Sequence, residues 1–153
     1  MNTFRIAVGC DDAGFSYKEA ARALLEADPR VSEVVDLGVD ANSHTPYPHI
    51  AIGVAEMVAA GSADRGLLIC GTGIGMAIAA NKVAGIRAAC GHDSFSVERS
   101  VLSNNAQVLT MGERVIGREL ALRLVSEWLG YQFDETSASA EKVDAITAYE
   151  EKN

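Results

Sequence analysis

The sequence predicts an α/β fold, a Rossmann-like three-layer sandwich with a five-stranded parallel sheet and an extra helix at the C-terminus. Three observations lead there. Short runs of branched apolar residues alternate with stretches of helical periodicity, the pattern of a parallel sheet covered on both faces. Two of those runs end in glycine-rich loops that open into a helix, at residues 9–14 and 71–75. The chain has 153 residues, 48% hydrophobic and 22% charged, which suits one domain with a substantial core.

The elements follow in order. Phe4-Arg5-Ile6-Ala7-Val8-Gly9-Cys10 reads as the first strand. Tyr17, Ala20, Ala21, Leu24 and Leu25 have helical spacing, so a helix spans 16–27, with Ser16 as its N-cap and Asp28-Pro29 as its stop. Residues 31–37 form a second strand. A loop marked by Asn42, Pro46 and Pro48 follows, and Pro48 suits the first turn of a helix that stops at Gly61. The third strand ends at Cys70 and its helix runs to Val83. Residues 85–90 form the fourth strand, 94–103 a short helix and 107–111 the fifth strand. An amphipathic helix over 116–129 ends on Gly130. Beyond Tyr131, Thr136-Ser137-Ala138-Ser139-Ala140 is loop-like and 141–152 is a last helix. All 153 residues are read as one domain, and 131–153 as an extension that packs on its own body or, the favoured reading, on a partner subunit.

Composition narrows the function. A formal charge of −8 argues against a nucleic-acid or anionic-membrane partner. No apolar run reaches membrane-spanning length and the start does not read as a signal peptide. Cys10, Cys70 and Cys90 provide neither a disulfide framework nor zinc-ligand spacing, so a reducing cytoplasm is expected. Cys10 and Cys90 are read as buried strand residues, Arg87 as a structural pairing residue, and Trp128 and Leu129 as core. The loop at 9–14 has the glycine spacing of a phosphate loop, but Phe15-Ser16 stands where Lys-Ser/Thr should follow. Gly71-Thr72-Gly73-Ile74-Gly75 matches a dinucleotide fingerprint only in part, because it follows the third strand and its last glycine comes one position early. A nicotinamide or flavin enzyme therefore stays an alternative.

Cys70 is placed at the carboxyl end of a buried strand, where open α/β sheets bind ligands, beside N–H groups that favour an anion. A thiol there reads as reactive, or as a buried residue ending a strand. A cysteine base next to such amides suits removal of a proton from carbon beside a carbonyl, with the amides holding the oxygen as charge develops. Thr72 would pass a proton between substrate oxygens. Asp11 and Asp12 would accept from sugar hydroxyls, or else cap the first helix.

These residues lie within a wider resemblance. Gly9-Cys10-Asp11, Ala13-Gly14 and Lys18, Tyr47-Pro48-His49, and Cys70-Gly71-Thr72-Gly73-Ile74-Gly75 with Ala79-Ala80-Asn81-Lys82 carry its first half. Gly85-Ile86-Arg87-Ala88, Asn104 with Val108-Leu109, Gly112-Glu113-Arg114-Val115-Ile116-Gly117 and Ala145-Ile146 carry its second. The chain resembles the ribose-5-phosphate isomerase B / galactose-6-phosphate isomerase subunit family. That resemblance implies metal-independent aldose–ketose isomerisation through a cis-enediol, with no cofactor, in homodimers or dimers of dimers whose active sites are shared between subunits. It implies Cys70 as base and Thr72 with the amides of Gly71, Gly73, Ile74 and Gly75 as the oxyanion loop. Asp11, Tyr47 and Asn104 become hydroxyl contacts and Arg114 a phosphate ligand.

Three departures qualify the substrate. The family's His after the first-loop Asp is Asp12 here. Its ring-opening His before the fifth strand is Ser103, a poor acid or base. The arginines near its last helix are missing, and Lys142 is the only nearby cation. A tetrose 4-phosphate has no ring to open, since the hydroxyl that would close it is esterified. The favoured substrate pair is thus D-erythrulose 4-phosphate and D-erythrose 4-phosphate. The alternatives are a ribose-5-phosphate/ribulose-5-phosphate isomerase in which His92 opens the ring, and a non-catalytic sugar-phosphate-binding subunit.

Overall fold

A computed structural model describes residues 3–153. Its sheet is parallel in every pairing, and the strands are β1 (Phe4–Cys10), β2 (Val31–Asp36), β3 (Arg65–Cys70), β4 (Ala88–Cys90) and β5 (Val108–Gly112). They lie in the order β2-β1-β3-β5-β4. The helices are α1 (Phe15–Ala27), α2 (Tyr47–Ala59), α3 (Ile74–Ala80), α4 (Ser94–Leu102), α5 (Arg118–Trp128) and α6 (Ala140–Glu150). On one face α1 packs against α5 and α5 against α4; on the other, α2 packs against α3. This is the expected α/β sandwich with its extra C-terminal helix.

Every residue of β3 and β5 is buried, as unbroken apolar runs in the middle of a two-sided sheet require. Trp128 and Leu129 close the core beneath α5, as expected. Arg65 enters this core at the start of β3. Its guanidinium donates to the Trp128 carbonyl at 2.7 Å and to that of Tyr131, so it caps the end of α5, and it stacks 4.3 Å from the Phe4 ring centroid. Burial lowers its pKa to about 10, since desolvation disfavours the charged form.

Several boundaries differ from the sequence expectation for identifiable reasons. Ser16 does not cap α1. A single 3₁₀ turn (Asp12–Gly14) precedes that helix, and Asp11 caps the turn by accepting from the amides of Ala13 (3.0 Å) and Gly14 (3.2 Å). The first turn of α1 is instead held by Glu113, which arrives from beyond β5 to accept from the Ser16 hydroxyl and, at 3.2 Å, from the Tyr17 amide. Helix α3 ends at Ala80 rather than Val83, because the Asn81 side chain brackets Ala88, donating to its carbonyl and accepting from its amide. That clamp and the left-handed turn at Gly85 also shorten the fourth strand to Ala88–Cys90. Cys90 is exposed, not buried, because β4 is an edge strand. Arg87 is structural as expected, with Nε donating to the Asn105 carbonyl.

Candidate active site

The sheet topology opens a crevice at one point. From β1 the chain goes outward to β2, then returns to β3 on β1's other flank. Loops leaving the carboxyl ends of β1 and β3 diverge there, and such a switch point is where open α/β sheets bind ligands. Cys10 pairs with Ile69, and Cys70 with Gly112, so Asp11 and the glycine loop emerge side by side. One open depression is lined by Asp11, Tyr47, Cys70, Gly71, Thr72, Ile74, Gly75 and Arg114.

The Cys70 side chain is 5% exposed, and its Sγ accepts from the Gly73 amide at 3.1 Å. Gly73 is left-handed, with φ +79°, and a Cβ there would stand 2.8 Å from the Met111 backbone. The loop turns this tightly only around glycine, and the turn aims the amide at the sulfur. The Thr72 hydroxyl accepts from the Ile74 amide at 3.2 Å. The amides in the first turn of α3 have no intrahelical acceptor, and that of Ile74 is taken by Thr72. Gly75 admits the Tyr47 ring, which a Cβ would meet at 2.6 Å. Tyr47 itself begins α2, with Pro48 in its first turn. Arg114 is exposed and forms no salt bridge among the described residues. It is a cation free to meet an anion.

Asp12 binds His44 rather than the interior of the depression, with Nδ1 2.6 Å from its carboxylate. Sequence reasoning passed over His44, whose only signal is its place in the proline-marked loop. His92 accepts from the Gly112 amide through Nε2 at 2.8 Å, and burial pushes its pKa down. It is a neutral acceptor fixed against β5. Cys90 Sγ lies 3.7 Å from the Thr72 carbonyl, beneath the loop.

Three expected site residues are not brought to Cys70 within this chain. Ser103 and Asn104 lie between α4 and β5, at the amino end of the sheet. A five-residue strand separates the two ends, about 16 Å at ~3.3 Å per residue. The Ser103 hydroxyl accepts from Arg99 Nε at 2.8 Å, and Asn104 lines a groove between the β4 edge and α6. Lys142 is exposed on α6, a helix tied to its own body by the Gly85 amide donating to Glu150 at 2.8 Å. Among the described residues no three His, Cys, Asp or Glu side chains converge as metal ligands, and no helix is long and apolar enough to cross a membrane.

Glu113 faces away from Cys70, toward α1. Its replacement by alanine is expected to cost about 1 kcal/mol through the lost helix cap, measured by urea unfolding, with kcat within about twofold of wild type. A loss of kcat comparable to removal of Cys70 would instead make Glu113 the base.

A thiol, a hydroxyl and a glycine loop at a topological switch point, next to an arginine with no salt bridge among the described residues, fit an aldose–ketose isomerase of phosphorylated sugars. More narrowly, the chain belongs to the ribose/galactose isomerase family, whose model matches residues 6–146. It is 64% identical to D-erythrulose-4-phosphate isomerase 2 of Mycolicibacterium smegmatis, over 95% of this chain and 97% of that one. It is 46% identical to ribose-5-phosphate isomerase B of Escherichia coli, over 97% of each chain. Among solved structures, ribose-5-phosphate isomerase B of Clostridium thermocellum superposes with a TM-score of 0.90 at 41% identity, covering 97% of this chain and 98% of that one.

Proposed function

We propose that this isomerase interconverts D-erythrulose 4-phosphate and D-erythrose 4-phosphate without a metal, with Cys70 as the base. Cys70, as thiolate, takes a proton from C1 of the ketose. The electron pair forms the C1–C2 double bond and the carbonyl π electrons move to O2, where the Gly71–Gly75 amides hold the charge. Thr72 carries a proton from O1 to O2, so that the enediol collapses to an aldehyde at C1 as the Cys70 thiol returns a proton to C2. The sulfur ends as it began, and the reaction has no net redox change. Asp11, Tyr47 and Asn104 hold hydroxyls, and Arg114 holds the phosphate.

The observation that carries the tetrose reading is the placement of the two expected ring-opening candidates, Ser103 and His92. Ser103 is bound to Arg99, and His92 is a neutral acceptor held by Gly112. Neither is placed as the acid a furanose needs. The high identity to the M. smegmatis enzyme named for erythrulose 4-phosphate supports the same substrate. With purified protein, kcat/KM for D-erythrulose 4-phosphate is expected to exceed that for D-ribose 5-phosphate by at least about tenfold. The reverse preference would overturn the tetrose reading and leave the isomerase class intact.

The working unit we infer is a homodimer, or a pair of dimers, with shared sites. Ser103, Asn104 and Lys142 reach a Cys70 depression most directly from a second copy. Ile74 and Ile78, one turn apart on α3 at the mouth of that depression, are 57% and 58% exposed, and exposed apolar pairs of this kind mark contact surfaces. A fully active monomer in sedimentation would refute the shared site.

A further inference from the structure

Arg114 alone is a thin reception for a dianionic phosphate, which raises the question of what completes its subsite. The loop after β2 doubles back over the loop after β1 and sets His44 against Asp12. His44, Thr45, Tyr47 and Arg114 line a second depression with Asp11 and Asp12. It is continuous with the Cys70 depression through Asp11, Ala13, Tyr47 and Arg114.

We propose that His44 is a phosphate ligand of the substrate, held in place by Asp12, and that with Arg114 it forms a terminal-anion subsite within one chain. This rests on the sugar-phosphate isomerase reading above. Four charged groups face the space: Asp11, Asp12, His44 and Arg114. One Asp11 oxygen is occupied by the Ala13 and Gly14 amides, and one Asp12 oxygen by His44. The Arg114 guanidinium and His44 Nε2 form no bond to any carboxylate among the described residues, and they are the donors left for an incoming anion. Because Nδ1 is bound to Asp12, Nε2 on the other side of the ring is directed elsewhere, and Asp12 raises the His44 pKa above its ordinary value. The imidazolium therefore persists to higher pH than a free histidine's, and it is the charged form that grips phosphate.

A purely structural role explains the pair less well. His44 and Asp12 side chains are 77% and 58% exposed, and an ion pair so exposed contributes little to folding. Removing it therefore leaves the protein folded and the test clean. Asp12 is a positioning residue here, acting on the anion through His44.

His44→Gln is expected to raise KM for erythrulose 4-phosphate, and Ki for inorganic phosphate as competitive inhibitor, by about tenfold to thirtyfold. Its kcat should stay within about twofold and its melting temperature unchanged. Asp12→Asn should match wild type near pH 6. Its KM should then rise at lower pH than wild type's, as the imidazole loses the carboxylate that keeps it charged. In the wild-type protein, inorganic phosphate should shift the NMR signals of the His44 ring. An active His44→Gln enzyme with unchanged KM and Ki would overturn the proposal, as would a collapse of kcat at constant KM, which would put His44 in the chemistry. A wild-type protein that turned over no tetrulose phosphate, yet lost phosphate binding on His44→Gln, would sink the substrate reading and support this one.

Discussion

Replacement of Cys70 by alanine is expected to lower kcat by at least about 10³-fold, some 4 kcal/mol of transition-state stabilisation. KM should change little, since in the proposed mechanism the thiol acts on the C1 and C2 protons and the phosphate is held elsewhere. Deuterium at C1 of the ketose should no longer exchange with solvent. Alanine removes the proposed base and leaves the loop in place, because its Cβ coincides with that of cysteine. Serine is expected to be nearly as poor, its hydroxyl being a far weaker acid than a thiol. Retained exchange in Cys70→Ala would mean that another group removes the proton. Asp11 would then be the first to test, because it lines the same depression.

The second large effect is expected from Gly73→Ala. At φ +79° an L-residue costs roughly 1–2 kcal/mol, and the new Cβ would stand 2.8 Å from Met111 backbone atoms. The backbone of β5 has no room to yield, so the loop must lift. Unfolding should be easier by about 2–4 kcal/mol, and kcat should fall by at least about 10²-fold even where the variant is fully folded, because the amide that meets Cys70 Sγ moves with the loop. A folded Gly73→Ala protein with normal kcat would show that the sulfur does not depend on that contact.

Both effects concern a loop that could be read directly. An apolar run, a cysteine and three alternating glycines specify a strand end, a tight turn and a helix start through short-range sterics alone. The same is true of β1, whose bounds match expectation, and of α2 with its proline in the first turn. The first loop was harder to read. Asp11 caps a 3₁₀ turn, the local reading, and also lines the depression, a position that strand order rather than local pattern decides. His44 was legible only as a residue of the proline-marked loop, because its partner lies 32 residues away in the chain.

From the sequence alone came the sandwich, the strand that delivers Cys70, the glycine loop beside it, the family, and the departure at Ser103 that points to a substrate without a ring. These rest on periodicity, backbone freedom and residue chemistry, which act over a few neighbouring residues. Only the tertiary structure decided that Glu113 rather than Ser16 secures α1, that β4 is an edge strand with Cys90 exposed, and that Ser103 and Asn104 stand at the far end of the sheet from Cys70. It alone placed His44 on Asp12. Each of these depends on strand order and on contacts between distant segments, and strand order follows from how whole layers bury their apolar faces, which no local pattern records.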